Sequence, residues 1–146
     1  MDKIKLISGV ILTKLKIIES TDGNILRYLR EDDNGFNHFK ESYFSTVNKE
    51  VVKPWKKHKK MTLNLAVPVG EIKFILFDDR KNSFTFKTFN EIILSPKNYF
   101  RLTVPPNIWM AFKGIDTHNI LVNTADLIHD PSEIERKNLD FINYNF

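Results

Sequence analysis

At 146 residues the chain is expected to form one domain spanning 1–146, long enough to bury about two-thirds of the surface its unfolded form exposes. With 42% hydrophobic and 27% charged residues it has a globular rather than a disordered composition, and with no cysteine it can form no disulfide, thiolate nucleophile or thiolate metal site. A formal charge of +4 suits an anionic small molecule or a solvated surface, and is too small an excess to argue for nucleic acid.

Residues 5–18 are rich in Ile, Leu, Val and Thr and break at Ser8-Gly9, which predicts one or two short strands. The apolar patch 8–12 is too short for a signal-peptide core or a membrane span, so a cytoplasmic protein is expected. Asp22-Gly23 marks a turn, residues 25–29 a short strand, and residues 31–35 an exposed loop. Residues 36–47 alternate loosely. Residues 51–55 form the next predicted strand, with Pro54 near its edge or end. Residues 62–67 are apolar around Asn64, residues 68–71 read as a hairpin turn, and residues 72–77 are the clearest strand. Short strands follow at 91–94, 99–104, 109–113 and 119–123, and residues 131–136 could start one or two helical turns. About ten short strands with turns every 8 to 12 residues indicate a sandwich or barrel. Glycine patterns for dinucleotide or nucleotide triphosphate binding are absent.

Several segments, in order, resemble the RmlC-like cupins, the epimerases and isomerases of dTDP-linked 4-keto-6-deoxysugars. They are the run from Lys53-Pro54-Trp55-Lys56-Lys57-His58 to Asn64, Val67-Pro68-Val69-Gly70-Glu71, Asp78-Asp79-Arg80, Leu94-Ser95-Pro96-Lys97-Asn98 and Val104-Pro105-Pro106-Asn107-Ile108-Trp109-Met110. The resemblance covers roughly residues 36–146 and implies an all-β cupin, a double-stranded β-helix jelly roll. Its pocket would form from residues 53–64 and 104–112.

Laid on the family's Arg-Gly-x-His-x-Gln pattern, Lys53 falls at the substrate-binding arginine, Lys56 at the catalytic histidine and His58 at the glutamine. Val122-Asn123 falls at the tyrosine acid, and Met110 at a second histidine. The resemblance implies a nucleotide-diphosphate sugar as ligand, no cofactor or metal, and a homodimer in which a partner covers the apolar strands of residues 5–18.

Moving a proton beside a carbonyl needs a group with pKa near 7 and a donor for the enolate oxygen. His58 suits the first task, with Lys56 beside it; the competing reading is a loop histidine among lysines. Lys53 is the candidate for phosphate, as a point charge without arginine's fork. Five lysines in eight residues also read as a solvated face. Simple alternation puts Lys53, Lys57 and Lys59 on one side and Lys56, His58 and Lys60 on the other. Lys53 and His58 can share one pocket only if the strand bends or bulges near Pro54. Tyr43 and Trp109 could stack on a sugar or base. Asn64 and Asn123, inside apolar strands, need a backbone or ligand partner. None of the four histidines, His38, His58, His118 and His129, lies two residues from another, so no metal centre is expected. The rivals are a sugar-nucleotide-binding cupin without chemistry and a basic β module for nucleic acid.

Overall fold

The structure is a computed structural model and describes residues 5–146. Twelve strands are found among them: β1 (Ile11–Lys14), β2 (Ile17–Ile18), β3 (Ile25–Leu26), β4 (Glu41–Thr46), β5 (Val52–His58), β6 (Leu63–Val69), β7 (Ile72–Phe77), β8 (Phe89–Leu94), β9 (Phe100–Val104), β10 (Trp109–Gly114), β11 (Ile120–Ala125) and β12 (Ile134–Arg136). Single 3-10 turns at Pro131–Glu133 and Leu139–Phe141 are the helical pieces, and no helix is long and apolar enough to cross a membrane.

Two five-stranded antiparallel sheets face each other, in the orders β1-β9-β6-β11-β4 and β12-β5-β10-β7-β8, with β2 and β3 as a separate hairpin. This is the jelly-roll arrangement of the cupins. Alternation along each strand sends Leu63, Leu65, Val67, Leu102 and Leu121 from the first sheet and Phe74, Leu76, Ile92 and Met110 from the second into the shared core. Residues 68–71 do not close a hairpin as expected: β6 and β7 lie in different sheets, and the turn carries the chain from one to the other because each strand pairs with other partners. At this turn Gly70 has a φ of +81° and an added Cβ would meet the His118 carbonyl, so only glycine fits.

The outer faces are covered differently. Outside the first sheet, Asn64, Arg101, Thr103 and Thr124 are buried polar residues beneath residues 28–35. Arg101 donates to the Tyr28 and Asn34 carbonyls and to Asp33, and the Tyr28 hydroxyl donates to the Asn64 carbonyl. Burial pushes the Tyr28 phenol up to about 12, so it stays a donor at all ordinary pH. Outside the second sheet the cover is aromatic. Trp55, Trp109 and Ile75 pack beneath the C-terminal segment, with Tyr144 and Phe146 against Trp55 at ring-centroid distances of 6.5 and 5.7 Å and Phe141 against Trp109 at 5.2 Å. Many of the twelve phenylalanines serve these two apolar layers.

Candidate active site

Strand β5 carries the basic run, and its register with β10 decides which side chains share a face. Met110 pairs with Lys56 and Phe112 with Lys53, so one residue of β10 opposes two of β5, Pro54 and Trp55. The extra residue is a β-bulge at the proline, which has no N–H to contribute to the ladder. Pro54 therefore sits inside the strand, not at its end, because the bulge absorbs its missing donor. The consequence is that Lys53, Lys56 and His58 all point between the sheets, although simple alternation would separate them. Trp55 and Lys57 point outward.

These three side chains line a cavity of about 210 Å³ between the two sheets. Its other walls are Tyr43 and Ser45 of β4, Leu63 and Leu65 of β6, Met110 and Phe112 of β10, Leu121 and Asn123 of β11, and Arg136 of β12. One side is apolar and the other carries Lys53, Lys56 and Arg136. None of these three cations has a carboxylate partner within salt-bridge distance among the described residues. Lys53 Nζ donates to Ser45 Oγ at 3.0 Å and lies 5.6 Å from the Phe112 ring centroid. Burial lowers the Lys56 ammonium pKa, and the neighbouring Arg136 and Lys53 lower it further. A concentration of positive charge in a half-closed cavity raises the local concentration of anions.

His58 is buried, and its Nδ1 lies 2.5 Å from Glu133 Oε1. Glu133, buried at the end of the 3-10 turn Pro131–Glu133, also accepts from the backbone N–H groups of Lys60 and Met61. Burial acts to raise the Glu133 pKa, but the hydrogen bonds from His58, Lys60 and Met61 outweigh it and the carboxyl stays ionised. Burial lowers the His58 pKa, and the Glu133 bond pulls back only part of that. The imidazole is thus neutral at pH 7, with Nδ1–H given to Glu133 and Nε2 without a protein partner among the described residues. That is the arrangement of a general base whose tautomer is held by a carboxylate.

On the facing sheet, Tyr43 and Asn123 are cross-strand neighbours. Asn123 Nδ2 lies 2.8 Å from Tyr43 Oη, and Asn123 Oδ1 is buried with no partner among the described residues. Whichever way the amide is turned, one of its polar atoms holds the phenol and the other is left for a ligand.

The structure thus brings together Lys53, Lys56, His58, Tyr43 and Asn123. Two expected site residues lie elsewhere. Trp109 alternates outward next to Met110; its Nε1 donates to Asp79 at 2.8 Å and its ring packs under Lys57 and Phe141. It is a packing residue of the outer face. Asn64 lies between inward Leu63 and Leu65 and so faces out, where it donates to the Gly35 carbonyl and accepts from Thr103. Its partners are the protein's own groups.

Two residues of the site escape a reading of β5 alone. Glu133 and Arg136 come from the last strand and its preceding turn, some 75 positions beyond His58. Their only sequence signal is the Pro-Ser-Glu start of a helical turn. The pairing of Arg136 with Lys56 and Ile134 with His58 delivers them. Among the described residues no three His, Asp or Glu side chains converge as a metal site. A roomier cleft of about 490 Å³ opens elsewhere, lined by Lys14, Lys16, Arg27, Arg30, Asp33 and Arg101 among others. It has cations but no group suited to proton transfer near pH 7, since its one carboxylate, Asp33, is bonded to Arg101.

No family model matches the chain. Among curated proteins it is similar to the probable low-salt glycan biosynthesis epimerase of Haloferax volcanii, 24% identical over 138 residues, covering 92% of this chain and 88% of that one. Among solved structures it is similar to a dTDP sugar isomerase from Desulfovibrio desulfuricans, with 38% identity, a TM-score of 0.89 and coverage of 92% of this chain and 87% of that one. A dTDP-4-dehydrorhamnose 3,5-epimerase from Sulfolobus tokodaii shares the fold, with TM-score 0.85 at 22% identity over 98% of this chain and 85% of that one. With this likeness spanning nearly the whole length, the jelly roll and the residues of its inner cavity have one explanation: the chain belongs to the RmlC-like family of dTDP-sugar epimerases and isomerases.

Proposed function

We propose that the chain is an enzyme that epimerises or isomerises a nucleotide-linked 4-keto-6-deoxyhexose, in the making of surface-polysaccharide sugars. The observation that carries this reading is the buried His58–Glu133 pair opening onto a cavity with three cations that lack carboxylate partners among the described residues. His58 Nε2 takes a proton from a carbon beside the ketone. The charge that develops on the enolate oxygen is stabilised by Lys56, whose ammonium is the more effective for being partly desolvated. Tyr43, held by Asn123 on the opposite wall, returns a proton to the other face of the ring. Lys53 and Arg136 hold the diphosphate. Leu63, Leu65 and Met110 accept the deoxygenated side of the sugar.

The test is incubation in deuterium oxide with dTDP-, GDP- and UDP-linked 4-keto-6-deoxyhexoses. Deuterium entering the sugar beside the carbonyl supports the enzyme. Tight binding with no exchange would instead favour a sugar-nucleotide-binding cupin without chemistry, and neither binding nor exchange would refute both. We further propose a homodimer. β1 is the edge strand of its sheet, and a second copy lying over this edge would cover it. A mass near 17 kDa by light scattering at micromolar concentration would contradict the dimer.

A further inference from the structure

We propose that Lys56 is a nucleophilic lysine, and that the cavity uses it to capture carbonyl compounds bearing a phosphate as a reversible imine. This activity is separate from epimerisation and does not depend on it. An amine adds to a carbonyl only in its neutral form, so a lysine becomes a nucleophile where its ammonium is disfavoured. Three features of the fold disfavour it at Lys56. Its cross-strand neighbour on β12 is Arg136, a like charge set directly beside it. Its neighbour on β10 is Met110, which carries no charge to offset it. Lys56 is also half-buried on a cavity wall where Leu63, Leu65 and Met110 stand in place of water. No carboxylate lies within salt-bridge distance of its Nζ among the described residues. Burial first, and then Arg136 and Lys53, lower its pKa, and Glu133 opposes them only in part. The next residue, Lys57, points outward and has what Lys56 lacks, a carboxylate (Asp79) at 3.4 Å.

The phosphate requirement comes from the neighbours. Lys53 and Arg136 line the same cavity, and Ser45 Oγ steadies the Lys53 Nζ at 3.0 Å. Lys56 stands between Lys53 of its own strand and Arg136 of the next, so a phosphate held by those two cations brings a carbonyl a few bonds away up to the Lys56 Nζ. The cavity of about 210 Å³ takes a carbonyl compound of a few carbons with its phosphate. The Nζ lone pair adds to the carbonyl carbon, the C=O pair moves to oxygen, and a proton passes from nitrogen to oxygen to give a carbinolamine. Its hydroxyl leaves as water while the nitrogen lone pair forms the C=N bond. The proton that the ammonium first releases is the one consumed in expelling that water, so the protonated imine keeps the charge of the ammonium. The ammonium that stabilises an enolate and the amine that adds to a carbonyl are two forms, in equilibrium, of the same Nζ.

The experiment treats the full chain at neutral pH with glycolaldehyde phosphate and sodium cyanoborohydride. The reductant delivers hydride to an imine carbon and fixes the adduct as a secondary amine, and peptide mass spectrometry then locates it. Lys56 is expected to be labelled about tenfold or more faster than any other lysine. It should also be labelled about tenfold or more faster than with glycolaldehyde, which lacks the phosphate. Both factors are of the size that one charged hydrogen bond to phosphate supplies. Inorganic diphosphate should protect Lys56, and Lys53→Ala, checked for unchanged thermal unfolding, should remove most of the advantage of the phosphate. Labelling spread evenly over the surface lysines, or Lys53 labelled ahead of Lys56, overturns the proposal. Equal labelling of Lys56 with and without the phosphate overturns the roles of Lys53 and Arg136 in it. The labelling is read without any sugar nucleotide, so its failure leaves the epimerase reading to be decided by deuterium exchange.

Discussion

On the inner face of β5, Lys53, Lys56 and His58 look into a cavity, and on the outer face Trp55 and Lys57 are packed and paired. Trp55 is 1% exposed beneath Tyr144 and Phe146. Lys57 lies 4.7 Å above the Trp109 ring and reaches Asp79 at 3.4 Å. On the inner face Lys53 and Lys56 have no carboxylate partner among the described residues. A strand bearing two cations without carboxylate partners on one side must be held from the other, since like charges repel and their desolvation is unfavourable. The aromatic clasp supplies that hold, together with the bond from Lys137 N–H to the Trp55 carbonyl. The division predicts that inner substitutions act on chemistry or binding and outer ones on stability.

The largest effect is expected at His58. His58→Asn should cut turnover about 100- to 10,000-fold, the usual contribution of a positioned acid or base, with nucleotide binding nearly intact. Exchange followed by NMR, alongside calorimetric binding, measures both. Trp55→Ala should lower unfolding free energy by about 3–5 kcal/mol, the cost of emptying a large aromatic site. Urea denaturation checks this. Were His58→Asn to unfold the chain while Trp55→Ala only slowed it, the two faces would not divide as described.

Glu133→Gln sharpens the comparison within the inner face. Turnover should fall roughly 100-fold, the low end for acid–base catalysis, because the imidazole loses its oriented acceptor. The carboxylate also raises the His58 pKa against burial. Removing its charge should therefore move the acid limb of kcat/KM to lower pH. In the unaltered chain that limb already lies below 6.5, histidine's ordinary value, because the base is active only above its lowered pKa. A limb that stays in place in the variant would show that Glu133 only packs. The smallest effect is expected for Lys53→Ala, about 1.5–3 kcal/mol of ligand affinity for a charged hydrogen bond. It should raise KM more than it lowers kcat, since phosphate is held before and during the reaction. Equal losses of binding for Lys53→Ala and His58→Asn would show that the inner residues do not divide their roles.

Much of this architecture can be read along the chain. The turn residues at Asp22-Gly23 and Gly70 and the apolar alternation of residues 72–77 are local signals, set by backbone conformation and by which side of a strand meets the core, so strands and turns follow from them. The order of the five quoted segments carries the jelly roll, because each segment is tied to a place in it. The basic run likewise marks the region of the site. What the chain could not settle is the direction of its side chains. Whether Lys53 and His58 share a face depends on one extra residue against β10, a property of pairing and not of either strand alone. Asn64 and Trp109 looked functional for their residue type, but strand alternation turned both outward, where Thr103, Gly35 and Asp79 satisfy them. Glu133 and Arg136 were silent because their meaning lies in contact with residues some 75 positions away. Local patterning determines which segments become strands. Only the register between strands, fixed when both sheets close on a common core, decides which residues meet.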